Sequence, residues 1–412
     1  MKLLVATAFP PNAPGGGPAV VRQMLRGFAS SAISQPESAI FWWSCHSEKD
    51  RRFGQEVSGH WCAGIPDKLI PSRRFTRLKA FLLEHVWAPW AAAHLLRTIR
   101  EIQPDCIWMI PHDWSIYPLW RVMAEGKWRM ADGTNPRVHV TIQDYPDAHN
   151  HGAVWGRARA ERMARMQEEI YCLATTRDAT SHPMLDDLEK RTGAKGVQML
   201  HAGLEPEDFD FLKNPAAHRP PSAIIKIAYA GTILVPREFA LFVEALESIR
   251  CHPTGNSSIQ FHLWGAHSYR SEPWFRPSWM VEHGNLPEQE LLGALRECHW
   301  GFIPMSLSDS DPRYNRFSFP TKFITCLAAG LPVITIGHPE SSVMKMAAAY
   351  NVGVTITSPQ ISVEELASAL SAPGTRERCR AEALRCARAE FDAEKIRRRL
   401  WDCFAGGIIA NE

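Results

Sequence analysis

The fold is most clearly indicated by residues 317–334, whose sequence is FSFPTKFITCLAAGLPVI. Pro320 fits the start of a helix, Gly330 fits its end, and the apolar run from Val333 predicts a β-strand directly after it. A helix and a strand in such close succession are typical of an α/β protein. Lys322 falls in the first helical turn, where a cation is unfavourable unless an anion binds nearby. The stretch therefore also predicts a phosphate contact.

Strand and helix patterns alternate in both directions from this stretch. Strands are predicted at 3–8, 39–44, 105–110, 138–142, 225–230, 259–264, 301–304, 332–336 and 352–356. Helices are predicted at 18–29, 75–102, 117–125, 155–173, 238–249, 288–297, 320–329 and 362–370. This alternation predicts an α/β fold with two tandem doubly wound, Rossmann-like domains that face a cleft. The expected parts are a first domain at 1–205, a proline-rich linker at 206–223, a second domain at 224–374 and a C-terminal helix at 375–412 that crosses back to the first domain.

The composition is that of an ordinary globular protein. The 412 residues carry 46 basic and 44 acidic side chains, so no strong net charge favours nucleic acid as a partner. The ten cysteines form no CxxC pair and are expected to be reduced, as in a cytoplasmic protein. The N-terminal apolar run lacks a cleavage region and predicts a first strand, and the run at 80–96 is interrupted by charged residues and proline. We therefore expect neither a signal peptide nor a membrane-spanning helix.

Glycines follow two predicted strands at positions where doubly wound sheets bind ligands. Gly15, Gly16 and Gly17 come after the first strand and directly precede a helix, whose free amides favour an anion. The alternative interpretation is that these three glycines form a mobile turn that requires positive φ and binds no ligand. In the second half, Gly231 ends a strand and is followed by Thr232 and, five residues later, by Arg237. A guanidinium there is suited to a diphosphate, although Arg237 taken alone is better explained as a solvated helix cap.

In order along the chain, these pieces resemble the GT-B glycosyltransferases, and within them the GT4-like retaining enzymes (glycosyl transferases group 1) that use nucleotide sugars. The resemblance rests on residues 9–17, FPPNAPGGG, on residues 198–205, QMLHAGLE, on residues 228–231, AYAG, and on residues 319–334, FPTKFITCLAAGLPVI. It covers nearly the whole chain, and the order of the motifs is its most specific feature. It implies a first domain that binds the acceptor and a second domain that binds the nucleotide sugar.

The resemblance also implies roles for individual positions. The Gly15–Gly17 turn would lie beside the donor diphosphate, and Asn285 would follow the strand that borders the base, where contacts are mostly made by backbone groups. In the resembling family, two basic residues commonly clamp the diphosphate. Their positions are held here by Thr232 and Arg237, so threonine replaces one of the two basic residues. Two glutamates that commonly contact the donor sugar and ribose correspond to Phe317 and Thr325. Lys322 is the first candidate to replace the missing cation.

Asp144 follows the strand at 138–142 and resembles the aspartate that relatives place near the transferred sugar, with Gln143 where histidine is usual. Its carboxylate would accept a hydrogen bond from a donor or acceptor hydroxyl, and the alternative is that it caps the next turn. No metal is expected. His149 and His151 lack a third ligand nearby in sequence, and the acidic pair at 309–311 is explained by a turn.

The resemblance thus implies a glycosyltransferase that moves a sugar from a nucleotide-diphosphate-sugar to a hydroxyl of a glycan or lipid-linked acceptor, with retention, in polysaccharide or glycoconjugate biosynthesis. No cofactor besides the donor substrate is expected. The basic stretch 68–79 fits peripheral contact with the inner face of a membrane, or simply a solvated face. Two other functions stay open: a non-catalytic partner subunit with a decayed donor site, and a sugar-nucleotide epimerase of the same fold.

Overall fold

The protein is described here by a computed structural model that covers residues 1–13, 15–28, 38–46, 57–65, 76–126, 133–146, 156–213, 224–252, 258–372 and 374–406. The chain divides into two compact units. The first contains Met1–His201, Asp311–Ser318 and Lys395–Glu412, and the second contains Ala202–Ser310 and Phe319–Glu394. Each unit is built on its own parallel β-sheet.

The first unit contains a sheet of six parallel strands in the order β3-β2-β1-β4-β5-β6. The strands are Lys2–Thr7 (β1), Ala39–Ser44 (β2), Val57–Cys62 (β3), Cys106–Ile110 (β4), Arg137–Ile142 (β5) and Thr176–Ala179 (β6). The helices are Gly16–Leu25, Thr76–Leu82, Ala88–Ile102, Ile116–Glu125, Arg157–Leu173, His182–Thr192 and Pro312–Phe317, with a π-helical turn at Leu83–Trp87 and a 3-10 turn at Asp113–Ser115. The central strand β4, CIWMI, is buried along its whole length, as expected for a parallel strand covered on both faces.

The second unit repeats this architecture with six parallel strands in the order β12-β11-β10-β7-β8-β9. The strands are Ile225–Ala230 (β7), Ile259–Trp264 (β8), Met280–Glu282 (β9), Trp300–Pro304 (β10), Val333–Ile336 (β11) and Gly353–Ile356 (β12). The helices are Pro206–Lys213, Pro236–Cys251, Glu288–Leu295, Thr321–Ala328, Ser342–Tyr350, Val363–Ser371 and Thr375–Glu390, followed by Ala393–Ala405, most of which belongs to the first unit.

Aromatic packing fixes the helix that follows β7. Phe239 and Phe242 on helix Pro236–Cys251 are fully buried against Phe261 of β8 and Phe302 of β10. The rings of Phe242 and Phe302 are stacked with centroids 3.9 Å apart. Burying one such side chain contributes about 1.5–3 kcal/mol, so this cluster anchors the start of the helix beside the carboxyl end of β7.

The predicted fold, two doubly wound parallel sheets, is confirmed. The expectation of one helix over 375–412 is wrong, because the segment forms two helices that meet at Phe391 and Asp392. There the backbone pairs with Leu204: the Leu204 amide donates to the Phe391 carbonyl at 2.6 Å, and the Ala393 amide donates to the Leu204 carbonyl at 3.1 Å. These bonds replace the helical ones. The first eight residues of the expected linker form helix Pro206–Lys213, and residues 214–223 lie outside the described residues.

Candidate donor site and strand-end residues

Two glycines lie at neighbouring strand ends of the second unit. Gly231, directly after β7, has φ +116°, and its amide donates to the Trp264 carbonyl at 2.8 Å. A Cβ on Gly265, directly after β8, would lie 2.8 Å from the Gly231 carbonyl oxygen. The two strand ends approach this closely because Gly265 lacks a side chain, and the positive φ of Gly231 favours glycine at that position as well. This leaves an open stretch of backbone at the carboxyl edge of the sheet, where doubly wound folds bind ligands.

Lys322 extends over this backbone. It stands in the first turn of helix Thr321–Ala328, and its Nζ donates to the Tyr229 hydroxyl at 2.9 Å and to the Thr232 carbonyl at 3.4 Å. The ammonium also lies 4.6 Å from the centre of the Tyr229 ring. A Cβ on Gly231 would be 3.8 Å from Nζ, which places the cation beside the strand-end glycine.

The ammonium of Lys322 has no carboxylate partner among the described residues. Burial lowers its pKa from 10.5 to about 8, because the charged form loses hydration that neutral oxygens only partly replace. An anion beside Nζ would compensate the ammonium for its lost hydration and would also interact favourably with the start of the helix. The arrangement is therefore suited to the binding of an anionic group.

A pH dependence of anion binding follows from this lysine. A nucleoside diphosphate bound here would favour the ammonium form, and the free protein loses that proton as the pH rises through about 8. The dissociation constant for UDP should therefore be nearly constant from pH 7 to 7.5 and should rise by several-fold between pH 8 and 9. Calorimetric titrations at these pH values test this expectation. The Lys322→Arg variant, whose cation does not titrate there, should show a flat profile, and an equally flat profile in the unsubstituted protein would contradict it.

The other predicted donor residues are distributed around the same edge of the sheet. Arg237 is the second residue of helix Pro236–Cys251, and it is exposed without a hydrogen bond or ion pair to any described residue. Thr232 and Asn285 are exposed in the loops after β7 and β9. The Thr325 hydroxyl donates to the Thr321 carbonyl at 3.2 Å, so it is used within its own helix.

Three residues that sequence reasoning gave no role support this edge. The Tyr229 hydroxyl, besides accepting from Lys322, donates to the Thr232 carbonyl at 2.6 Å. Glu238 is 4% exposed, and its Oε1 accepts from the Leu307 amide at 2.9 Å, which fixes the loop after β10. The Tyr269 hydroxyl accepts from the Ile233 amide at 3.0 Å. The sequence signals were a tyrosine two residues before the strand-end glycine and an acid one residue after Arg237.

A small cavity opens beside the end of β8. It is lined by Trp264, Gly265, Ser268, Glu282 and Gly284, among others. Glu282 shapes it by accepting from the Ser268 hydroxyl at 2.9 Å and from Arg270 Nε at 3.1 Å.

Next to this cavity, three planar rings lie nearly parallel. His283 is stacked on Trp264 with centroids 4.6 Å apart and on His262 with centroids 5.1 Å apart. Burial lowers the pKa of His262 to about 4, so this histidine is neutral at physiological pH. The end of β9, which the resemblance places beside the base, therefore presents an aromatic ring next to this cavity.

In the first unit, the glycine turn contacts the residue that follows β5. Gly15 has φ +114° and precedes helix Gly16–Leu25. A Cβ on Gly17 would lie 2.6 Å from Oε1 of Gln143, whose Nε2 donates to the Gly17 carbonyl at 3.3 Å. The amides of Gly16 and Gly17 belong to the first helical turn, which lacks intrahelical acceptors. A side chain at position 17 would have to displace the side-chain amide of Gln143.

Asp144 is already bonded within the first unit. Its Oδ1 accepts from the Ser318 hydroxyl at 2.5 Å, and its backbone carbonyl accepts from Gln167 Nε2 at 3.0 Å. Ser318 was missed by sequence reasoning because 174 residues separate it from Asp144. The neighbouring Phe317 packs its ring against Tyr145 with centroids 5.5 Å apart, which gives this position an apolar packing role.

The described residues contain no group of three or more His, Cys, Asp or Glu side chains that could hold a metal ion. His149 and His151 lie outside the described residues. Of the acidic pair at 309–311, Asp311 caps helix Pro312–Phe317 by accepting from the Tyr314 amide at 3.2 Å. The turn expected there is thus a helix cap.

An exposed apolar stripe runs along the helical segment 76–102. It consists of four large side chains, Leu78, Phe81, Val86 and Trp90, which are 51%, 52%, 61% and 53% exposed. The π-helical turn Leu83–Trp87 takes up one extra residue, so that Leu78 and Val86 are close to two full turns apart and the stripe keeps to one face. No helix among the described residues is long and apolar enough to cross a membrane. Of the basic stretch 68–79, only 76–79 is described.

Glu84 lies in the same π-helical turn but is buried on the opposite side. Its carboxylate binds Arg159 at 3.3 Å and Arg162 at 3.1 Å, both on helix Arg157–Leu173. Because a buried carboxylate with two guanidinium partners is costly to separate, these ion pairs hold the π-helical turn against the first unit and leave the apolar stripe facing solvent.

Solved structures with the same fold span nearly the whole chain. Sucrose-phosphate synthase from Thermosynechococcus elongatus is 15% identical, with a TM-score of 0.68 over 97% of each chain. The lipopolysaccharide outer core galactosyltransferase WaaB in its apo form is 13% identical, with a TM-score of 0.64 over 98% of this chain and 99% of that one. Anabaena HepE in complex with UDP is 12% identical, with a TM-score of 0.62 over 98% and 100%. No protein-family model and no curated protein matches the chain.

Two six-stranded parallel sheets with flanking helices, matched over nearly the full length of these solved structures, define the fold. The chain has the GT-B fold, as the sequence resemblance predicted. At 12–15% identity this likeness establishes the fold and not the activity.

Proposed function

We propose that the protein is a glycosyltransferase that transfers a sugar from a nucleotide-diphosphate-sugar to a hydroxyl group, with the donor bound at the carboxyl edge of the second sheet. The observation that carries this proposal is the Lys322 ammonium beside Gly231, in a position suited to an anion and without a carboxylate partner among the described residues. Lys322 lies at the carboxyl edge of the second sheet, where doubly wound folds bind ligands, and this position suits a donor diphosphate. Anabaena HepE, a neighbour in fold, has been solved with UDP and with UDP-glucose.

In the proposed reaction, the bond between the anomeric carbon and the diphosphate oxygen breaks and a bond to the acceptor oxygen forms. Negative charge then grows on the departing diphosphate. A cation fixed beside that group stabilises the transition state more than the ground state, and this is the role proposed for Lys322. Arg237 adds a second, exposed cation. The departing phosphate accepts the proton that the acceptor hydroxyl loses, and the sugar keeps its anomeric configuration.

Asp144 and the glycine turn are the residues of the first unit that the proposal uses. One oxygen of the Asp144 carboxylate is bonded to Ser318, and the second oxygen is proposed to accept a hydrogen bond from a sugar or acceptor hydroxyl. The first-turn amides of Gly16 and Gly17 are proposed to donate to an anionic group.

The second candidate function is a non-catalytic partner subunit. It is favoured by Phe317 and Thr325, which replace the glutamates of the resembling family and are occupied by packing and by a helical hydrogen bond. Calorimetry with UDP-, GDP-, dTDP- and CMP-sugars separates the two functions. The enzyme should bind one donor and release its nucleotide when an acceptor is supplied. Absence of heat at millimolar concentrations of every donor would overturn the proposal and favour the subunit.

We also propose that the first unit rests on an anionic membrane surface, where a lipid-linked acceptor would be within reach. The apolar stripe supplies side chains that suit the boundary between lipid headgroups and acyl chains, with tryptophan among them. The basic residues of the stretch 68–79 directly precede it in sequence, and cations there attract acidic lipids of the inner leaflet. The exposed area of four large apolar side chains is otherwise unfavourable in water.

Membrane binding should depend on the apolar stripe and not on exposed apolar residues elsewhere. The Trp90→Glu variant should bind vesicles that contain anionic lipid at least tenfold more weakly, because it loses an interfacial ring and adds repulsion. Leu173→Glu is the matched control, since Leu173 is 54% exposed on another helix of the same unit. Co-sedimentation with vesicles measures both. Equal binding of the Trp90→Glu variant and the unsubstituted protein would contradict the proposal, as would no binding by either.

A further inference from the structure

The second unit contains a cavity of about 440 Å³ that the proposed donor site does not use. Part of its wall comes from Cys298 and His299, which precede β10, and from Leu331 and Pro332, which precede β11. It therefore lies at the amino-terminal edge of the sheet, whereas Gly231 lies at the carboxyl edge. Five strand residues at about 3.3 Å each separate the two edges by roughly 16 Å, so the cavity is a distinct site.

The cavity wall is rich in cations. Arg296 lies on one side, and Arg376 and Arg380 lie one turn apart on helix Thr375–Glu390. Most of these charges have partners: Arg296 pairs with an aspartate at 3.3 Å, and Arg376 pairs with a glutamate at 3.0 Å. Lys213, also in the wall, pairs with a neighbouring aspartate at 3.1 Å.

Arg380 is the exception. It makes no hydrogen bond or ion pair with any residue that the structure describes, and its Nε is buried without an acceptor. Its guanidinium lies across Gly330, where an added Cβ would be 3.0 Å from Nη2. Burial and the nearby Arg376 lower the pKa of Arg380, while the carboxylate of Glu377, which also lines the cavity, acts in the opposite direction. Nε of Arg296 is likewise buried without an acceptor.

We propose that this cavity binds a small phosphate monoester, with the phosphate between Arg376 and Arg380 and the organic part against the apolar wall. Two guanidinium groups one helical turn apart match an anion with two charges and several oxygens better than a single carboxylate. The apolar wall includes Leu212, Leu327 and Leu331. Its volume is in the range of sites for small organic ligands.

The proposal is tested with phenyl phosphate, which joins a phosphate to an apolar body, and with benzoate as the singly charged comparison. The full chain should bind phenyl phosphate by calorimetry and bind benzoate at least tenfold more weakly. The Arg380→Ala variant should bind phenyl phosphate at least tenfold more weakly. Arg388→Ala removes an equal charge from an exposed position on the same helix, outside the cavity, and should leave the affinity unchanged.

Two further variants make the result decisive. Arg376→Ala should repeat the loss if the Arg380→Ala protein does not fold. Arg237→Ala should leave the affinity for phenyl phosphate unchanged, because Arg237 belongs to the other edge of the sheet. No binding by the full chain, equal binding of benzoate, or a loss confined to the Arg237→Ala variant would each overturn the proposal.

Discussion

Replacing Lys322 with methionine should weaken the binding of a nucleoside diphosphate by about thirtyfold while leaving the protein at least as stable as before. A charge-assisted hydrogen bond contributes about 1.5–3 kcal/mol, and a loss of about 2 kcal/mol corresponds to a thirtyfold change in affinity. Methionine replaces the apolar part of the lysine side chain and lacks only the terminal ammonium, so the loss reports on the cation. Calorimetric titration with the preferred nucleoside diphosphate measures it.

The Lys322→Met substitution should weaken nucleotide binding but should not weaken the folded state. The pKa of Lys322 falls from 10.5 in the unfolded chain to about 8 in the folded one, so the folded chain binds this proton less tightly. The resulting cost to stability is fully present below pH 8 and disappears as the pH rises toward 10.5. Methionine removes that cost, and the unfolding temperature at pH 7 should stay the same or rise by a few degrees.

Lys345→Met provides the matched control for both measurements. Lys345 lies in the same unit on helix Ser342–Tyr350, is exposed and pairs with Glu340 at 2.7 Å. Because a surface ion pair contributes little, this variant should change neither nucleotide affinity nor unfolding temperature noticeably. Equal affinities of Lys322→Met and Lys345→Met would remove Lys322 from the donor site.

The second large effect is expected for Gly231→Ala. A φ of +116° is strained for any residue with a Cβ, and the Gly231 carbonyl closely approaches Gly265. Strain of about 1–3 kcal/mol should lower the unfolding temperature by several degrees. The strand end would also shift beneath Lys322, so nucleotide affinity should fall by at least tenfold.

Gly293→Ala is the control for this substitution. Gly293 lies within helix Glu288–Leu295, and an added Cβ there meets nothing within 4 Å. Alanine should be neutral or slightly stabilising at that position, because glycine is a weak helix former. If Gly231→Ala behaved like Gly293→Ala in both affinity and unfolding temperature, the strand-end geometry would have no part in binding.

The sheets could be predicted because their central strands are short, continuous apolar runs between helical patterns. Two strands outside the predicted set lie at the ends of the first sheet. Val57–Cys62, VSGHWC, and Thr176–Ala179, TRDA, carry polar residues because edge strands are less fully covered. The break at Phe391 was also not predictable, since it depends on backbone bonds to Leu204, far away in sequence.

The candidate site shows the same division between local and distant information. Glycines after strands and a lysine at a helix start are local signals, and they singled out Gly231 and Lys322. The contact that joins these two parts runs through Tyr229, which is 93 residues from Lys322. The packing of Phe317 against Tyr145 likewise comes from tertiary structure. A motif can show that a usual glutamate is missing, but only the fold shows what its replacement contacts.

The most direct test is a structure of the protein with its nucleotide-sugar donor bound. The account predicts a diphosphate oxygen within about 3 Å of Lys322 Nζ, with the phosphates lying over the backbone of Gly231 and Thr232. A donor bound elsewhere, with Lys322 still bonded only to Tyr229 and Thr232, would contradict it.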